Sequence, residues 1–179
     1  MTGDIAEKKI LMVVAQKNFR DEEFFEPRDV FEDEGVNITV ASNSTDEAEG
    51  VLGGRVKPDM SIDDVNIADY DAIVIAGGGG SREYLWKNKK LHEIVREGFD
   101  MEKVVAAICI SPVVLAKAGI LEGKRATVFG DPASIKALKK GGANYEDEEV
   151  IVVDNIVTGR DPASAVKFGQ TVLETLEKY

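Results

Sequence analysis

The chain has 179 residues but only one cysteine and one histidine. A lone cysteine closes no internal disulfide, which fits a reducing compartment and leads to the expectation of a cytoplasmic protein. No apolar run reaches the roughly 18 residues needed to span a bilayer. The opening MTGDIAEKKILMVVAQ has its apolar stretch cut short and lacks a small-residue cleavage site, so no secretory leader is expected. Basic residues are scarce: 22 Lys and Arg against 33 Asp and Glu give a formal charge of −11. Such a field repels phosphate backbones and anionic lipid, so neither nucleic acid nor membrane is an expected partner. The lysine and hydroxyl of a phosphate-binding loop are missing, and VVAQKNFRDEE (13–23) has no glycine for a dinucleotide fingerprint. No cofactor is therefore expected. The acidic run YEDEEV (145–150) reads as a solvated loop rather than a cation site, so no metal is expected either.

What is present is an alternation of short apolar runs with amphipathic segments. KILMVVAQ (9–16), NITVAS (37–42), DAIVIAG (71–77), KVVAAICI (103–110) and ATVFG (126–130) read as buried strands. EVIVVDNIVTG (149–159) reads as two strands turning at Asp154-Asn155. In 88–99, Leu91, Ile94, Val95 and Phe99 share one helical face; in 162–178, Ala165, Val166, Gly169, Val172, Leu173 and Leu176 do so. Ser111-Pro112, Asp131-Pro132 and Asp161-Pro162 each place a capping side chain before a proline at the first helical position. The pattern predicts an α/β fold, a mostly parallel sheet with helices on both faces, in one domain over 1–179. Ligands of such sheets bind at the carboxyl ends of the strands, so the residues just after each apolar run are the candidates.

Cys109 ends one such run, and Ser111-Pro112 opens a helix two residues later. A turn this sharp lifts a side chain above the sheet edge, and the helix start offers amides and partial positive charge that favour a thiolate. A small buried residue at a strand end is the plainer alternative, and position alone leaves both open. The run AGGGGSREY (76–84) brings backbone without Cβ to the same edge, where amides can meet a developing oxyanion. Upstream, Glu22, Glu26, Asp29 and Asp33 form an acidic stripe that must face water, while Glu23 shares a face with Pro27 and Val30. Partial burial there would raise its pKa and let it carry a proton near neutrality; the alternative is a first-turn glutamate that complements the helix dipole.

Together these segments resemble the ThiJ/PfpI superfamily over nearly the whole chain. The family's glutamate four residues before a proline appears as EFFEP (Glu23 to Pro27), its strand and glycine loop as DAIVIAGGG with Ala76 for the usual proline, its elbow as AAICISP with Ser111 for the usual glycine, and its late segment as TGRDP. The resemblance implies a flavodoxin-like three-layer sandwich akin to the class I glutamine amidotransferases, and a homodimer or larger homo-oligomer. It implies Cys109 as the reactive thiol beside a protonated Glu23, an oxyanion hole from the amides of Gly78 and Ile110, and Arg160 as an anion-attracting arginine, for which a salt-bridged loop arginine is the alternative.

Relatives of peptidase type carry histidine directly after the cysteine or bring one in from a later loop. This chain has Ile110 there, and its one histidine, His92, precedes the elbow on a mostly polar helical flank, where it reads as a surface residue; an approach to Cys109 or to a partner subunit's site is the alternative. Peptide hydrolysis needs both a base and an acid for the leaving amine, and Glu23 supplies one at most. Small 2-oxoaldehydes have no amine to expel, so a glyoxalase- or deglycase-type enzyme acting on a reactive carbonyl fits the residues best. A redox-sensing or stress-protective role for an oxidisable Cys109 is the non-enzymatic alternative.

Overall fold

The apolar runs do become a central sheet. The structure, a computed structural model, describes residues 4–179. Lys9–Val13 forms β1, Lys17–Phe19 the short β2, and Asp21–Asp33 the first helix, α1. Next come β3 (Asn37–Ser42), β4 (Ala48–Gly50), β5 (Arg55–Val56) and β6 (Met60–Ser61). β7 (Ala72–Ile75) leads into α2 (Gly79–Tyr84) and α3 (Lys89–Asp100), and β8 (Val104–Ile108) into α4 (Pro112–Lys117). Then follow β9 (Arg125–Ala126), α5 (Pro132–Lys140), β10 (Asn144–Tyr145), the hairpin of β11 (Val150–Val153) and β12 (Ile156–Gly159), and α6 (Ala165–Leu176).

Seven strands lie in the order β11-β12-β8-β7-β1-β3-β6, and every pairing is parallel except that of β11 with β12. β7 and β8 are buried along their whole length, as strands covered on both faces must be, which explains runs that are continuously apolar rather than alternating. α1 packs with α6, and α3 with α4, giving a mixed α/β fold of three layers. Phe19, Phe24, Phe31 and Phe168 are fully buried. Each such side chain contributes about 1.5–3 kcal/mol of apolar burial.

β3 has the bounds the sequence suggests, and the hairpin turns at Asp154, in the left-handed region at φ 54°. Three expectations need correction. The run 126–130 is no central strand: only Arg125–Ala126 is extended, paired with β10 in a two-stranded sheet, because β12 occupies the place beside β8. Val166 is 43% exposed, and Phe168 takes the buried position on α6 instead. Finally, all three Ser/Asp-Pro pairs do start helices, yet only Asp161 caps with its side chain, accepting from the Ser164 amide at 3.0 Å. Asp131 pairs with Arg82, and the Ser111 hydroxyl is turned into the protein interior.

Among the described residues no helix is long and apolar enough to cross a membrane.

Candidate active site

β8 ends at Ile108, and Cys109 then swings into the left-handed region at φ 67°. For a residue with a Cβ that conformation costs of order 1 kcal/mol, and it persists only where neighbours over-determine it. They do here. The Cys109 amide donates to the Gly159 carbonyl at 2.9 Å, the Phe129 amide donates to the Cys109 carbonyl at 2.7 Å, and the Ser111 amide closes the turn on Ile108 O at 3.1 Å. Pro112 then opens α4, so the side chain projects from a strand-to-helix elbow as the sequence suggests.

The neighbouring strand, β7, delivers the glycine loop. A Cβ on Gly77 would lie 2.6 Å from Cys109 Cβ, from Glu23 Oε1 and from the Ile108 carbonyl. Gly77 is thus the space in which the thiol and the carboxyl meet. Gly78 has φ 103°, and a Cβ there would sit 2.3 Å from the Arg20 amide nitrogen. That same amide donates to the Gly77 carbonyl at 2.9 Å, which ties the start of α1 to the loop.

Glu23, on the first turn of α1, is completely buried rather than partly so, and neither of its oxygens has a hydrogen-bond partner in the resting geometry. Burial pushes its carboxyl up to about 8, against smaller opposing effects of the adjoining Cys109 thiol and the Arg20 charge. It therefore carries a proton at neutral pH. Cys109 itself is 7% exposed. Burial first, and the neighbouring Glu23 second, push its thiol up, while the amides of Gly78 and Ile110 pull the other way. The helix-start argument for a resting thiolate is thereby corrected. α4 has only six residues, and its partial charge does not offset the desolvation of the sulfur.

A pocket of about 290 Å³ opens above the sulfur. Gly78, Cys109 and Ile110 line its floor, so the residues proposed for nucleophile and oxyanion hole come together. Val51, Phe129 and Pro162 supply apolar walls, and Arg20 and Arg82 line it with cationic side chains, each paired to a carboxylate, Glu22 at 2.5 Å and Asp131 at 3.1 Å respectively. Arg160 is not brought to the pocket lining. Its guanidinium is committed to Asp161 at 3.0 Å and Asp147 at 3.1 Å, the salt-bridged alternative. His92 does not line the pocket either. It is half-buried rather than on the surface, its Nε2 lies 2.8 Å from the Trp86 carbonyl oxygen, and burial lowers its pKa. Among the described residues no cluster of three or more His, Cys, Asp or Glu is placed to hold a metal ion.

Three parts of the site escape sequence reasoning. Arg20 falls inside the segment after the first apolar run that the strand-end rule marks for attention, and nothing in the sequence separates it from its neighbours. Asp21 is buried and accepts from the Leu52 and Gly54 amides at 2.8 and 2.7 Å, fixing the turn that carries Val51 to the pocket. Trp86 donates its indole N–H to the Ile110 carbonyl at 3.0 Å.

The profile of the DJ-1/PfpI family matches residues 8–175. A protein of unassigned function from Methanocaldococcus jannaschii is 54% identical over 170 residues, covering 95% of this chain and 83% of that one. A deglycase of Pyrococcus horikoshii is 34% identical over 155 residues, covering 87% of this chain and 91% of its own length. Among solved structures, a ThiJ/PfpI domain protein from Brachyspira murdochii superposes with a TM-score of 0.92 at 34% identity, covering 97% of this chain and 98% of that chain.

Proposed function

This chain belongs to the DJ-1/PfpI family, and on that footing we propose that it is a cysteine-dependent enzyme of glyoxalase or deglycase type acting on reactive 2-oxoaldehydes. The observation that carries the reading is the Glu23–Cys109 pair. A fully buried carboxyl, bonded to nothing else and protonated to about pH 8, adjoins a thiol that faces two amides at a pocket floor. The relative from Pyrococcus horikoshii carries the name deglycase.

The reacting form is the pair with one proton between them, thiolate with carboxylic acid. The sulfur adds to the aldehyde carbon while Glu23 protonates the new alkoxide, whose charge the Gly78 and Ile110 amides share as it develops. Glu23, now a carboxylate, takes the proton from that carbon and returns it to the adjacent one, while the hydroxyl proton passes to the neighbouring oxygen through the enediol, converting the hemithioacetal to a 2-hydroxy thioester. Water attacks the thioester, Glu23 accepts the water's proton, the thiolate leaves, and the hydroxyacid is released with the pair back in its starting form. No step needs a histidine. A peptidase-type site that pairs its cysteine with a histidine finds none here, because His92 lies outside the pocket lining.

A redox role has one observation in its favour: a protonated Glu23 can donate to a sulfinate on Cys109. The raised thiol pKa weighs on this role and on the enzymatic one alike, since both react through the thiolate. A homo-oligomer stays part of the proposal, supported by Val51 and Leu52, 45% and 63% exposed at the turn beside the pocket, and sedimentation velocity tests it. The decisive experiment incubates wild type and Cys109→Ala with methylglyoxal and glyoxal, following loss of aldehyde and gain of hydroxyacid. Cys109-dependent turnover is expected. Absence of turnover, with a thiol that micromolar peroxide oxidises rapidly, would move the assignment to the redox role.

A further inference from the structure

Ser111 begins a helix, yet its hydroxyl caps nothing. Serine at that place ordinarily accepts from an amide two or three residues on. Here Oγ is fully buried, 2.6 Å from the Ala76 carbonyl oxygen and 2.8 Å from Ser81 Oγ, and Ser81 is itself fully buried. A carbonyl only accepts, so the single proton of Ser111 goes to Ala76, and Ser81 must then donate to Ser111. The result is a one-way chain from Ser81 through Ser111 to Ala76, in surroundings where each hydrogen bond polarises the next.

The chain links the two turns that carry the amide donors. Ala76 directly precedes Gly77-Gly78, whose amide faces the sulfur from one side, and Ser111 directly follows Ile110, whose amide faces it from the other. The Trp86 indole holds the Ile110 carbonyl from a second direction. Ala76 and Ser111 are also two of the positions at which this chain departs from the motifs of the family it resembles, and they prove to be in direct contact.

We propose that Ser111 and Ser81 are positioning residues that fix the separation of the Gly78 and Ile110 amides and so set how well this site holds an oxyanion. The turnover part of the test rests on the glyoxalase-type reading; the thiol part does not. Full-length Ser111→Ala and Ser81→Ala are compared with wild type in methylglyoxal turnover, in the pH profile of Cys109 alkylation by iodoacetamide, and in thermal melting. Ser111→Ala removes both bonds and is expected to lower kcat about tenfold with KM little changed, because the donors are lost to the transition state rather than to substrate binding. Its alkylation profile moves to higher pH, since the amides support the thiolate less well. Ser81→Ala leaves the bond from Ser111 to Ala76 intact, and a smaller fall of about threefold is expected, with a smaller shift in the same direction.

Variants that melt earlier but keep the wild-type kcat and alkylation profile would overturn the proposal, because that is the result of a structural bond only. If Ser111→Ala does not fold, Ser81→Ala decides alone, and an unchanged kcat and profile in it overturns the proposal equally. If wild type itself does not turn over methylglyoxal, the functional reading fails and the alkylation profile still decides the role of the two serines.

Discussion

Two strand-to-helix turns meet over the floor of the pocket, and they reach positive φ by different routes. After β7 the residue is Gly78, at φ 103° and ψ 162°, a region open in practice to glycine alone. After β8 it is Cys109, at φ 67°, where a side chain fits at some strain. One turn supplies only an amide and has no side chain at the critical place. The other must supply a sulfur, and three backbone hydrogen bonds hold it in a conformation it would not choose. The pair therefore divides the work, with a strain-free donor opposite a strained nucleophile.

The largest effect is expected from erasing that difference at the glycine turn. Gly78→Ala adds a Cβ 2.3 Å from a backbone nitrogen, in a backbone region that alanine does not tolerate, and neither fault can be relieved by a side-chain movement. A loss of about 3 kcal/mol or more is expected by chemical denaturation, with turnover abolished. A well-folded, active Gly78→Ala would mean that the loop has a second conformation and that its amide is not fixed.

Glu23 lies beneath both turns, and its ionisation gives the next prediction. Its carboxyl is held at about 8 in the folded protein against an ordinary 4.5, so the unfolded chain gives up this proton first. The protein's stability is then highest below the lower value and declines as pH rises through the upper one. Glu23→Gln never charges, so it should match or fall below wild type at acid pH and gain on it as pH rises. The difference should level off above about pH 8, with an upper bound of about 5 kcal/mol from the displacement of the pKa. Urea unfolding at a series of pH values measures it. The same ionisation should make wild-type kcat/KM climb as pH approaches 8, because only then does the pair hold a single proton.

The elbow, the glycine loop and the Glu23 face could all be read from the sequence, because each is a local fact: an apolar run stops, a glycine run starts, a glutamate falls on the apolar side of its helix. What could not be read depends on distant partners. Ser111 looks like a cap until Ala76, 35 residues away, claims its proton. The run at 126–130 looks like a central strand until β12 takes the place beside β8. The amides that favour a thiolate are visible in the sequence, whereas the burial that outweighs them is a property of the assembled core.

The strain at Cys109 can be isolated by comparing two inactive variants. Cys109→Ala keeps a Cβ in the left-handed region and Cys109→Gly does not, while both lack the sulfur. The glycine variant should be the more stable by about 1 kcal/mol, the opposite of the usual order of these two residues. Denaturant midpoints compare them. A more stable alanine variant would mean that the elbow is unstrained and that the contrast between the turns is only one of side-chain content.

A third strand end serves as the control. β12 ends at Gly159, with Arg160 next, and there the backbone supports the elbow rather than facing the pocket: the Gly159 carbonyl accepts from the Cys109 amide. The Arg160 guanidinium points to Asp161 and Asp147, in pairs that are partly open to solvent. Such pairs are worth about 0–1 kcal/mol, so Arg160→Gln should shift stability by no more than that and leave kcat/KM within about twofold of wild type. Arg82→Gln, at a residue that does line the pocket, should by contrast raise KM for anionic carbonyl substrates such as glyoxylate. If Arg160→Gln proved the more damaging in steady-state kinetics, Arg160 would have to leave its two carboxylates when substrate binds, and the third strand end would join the other two as part of the reacting site.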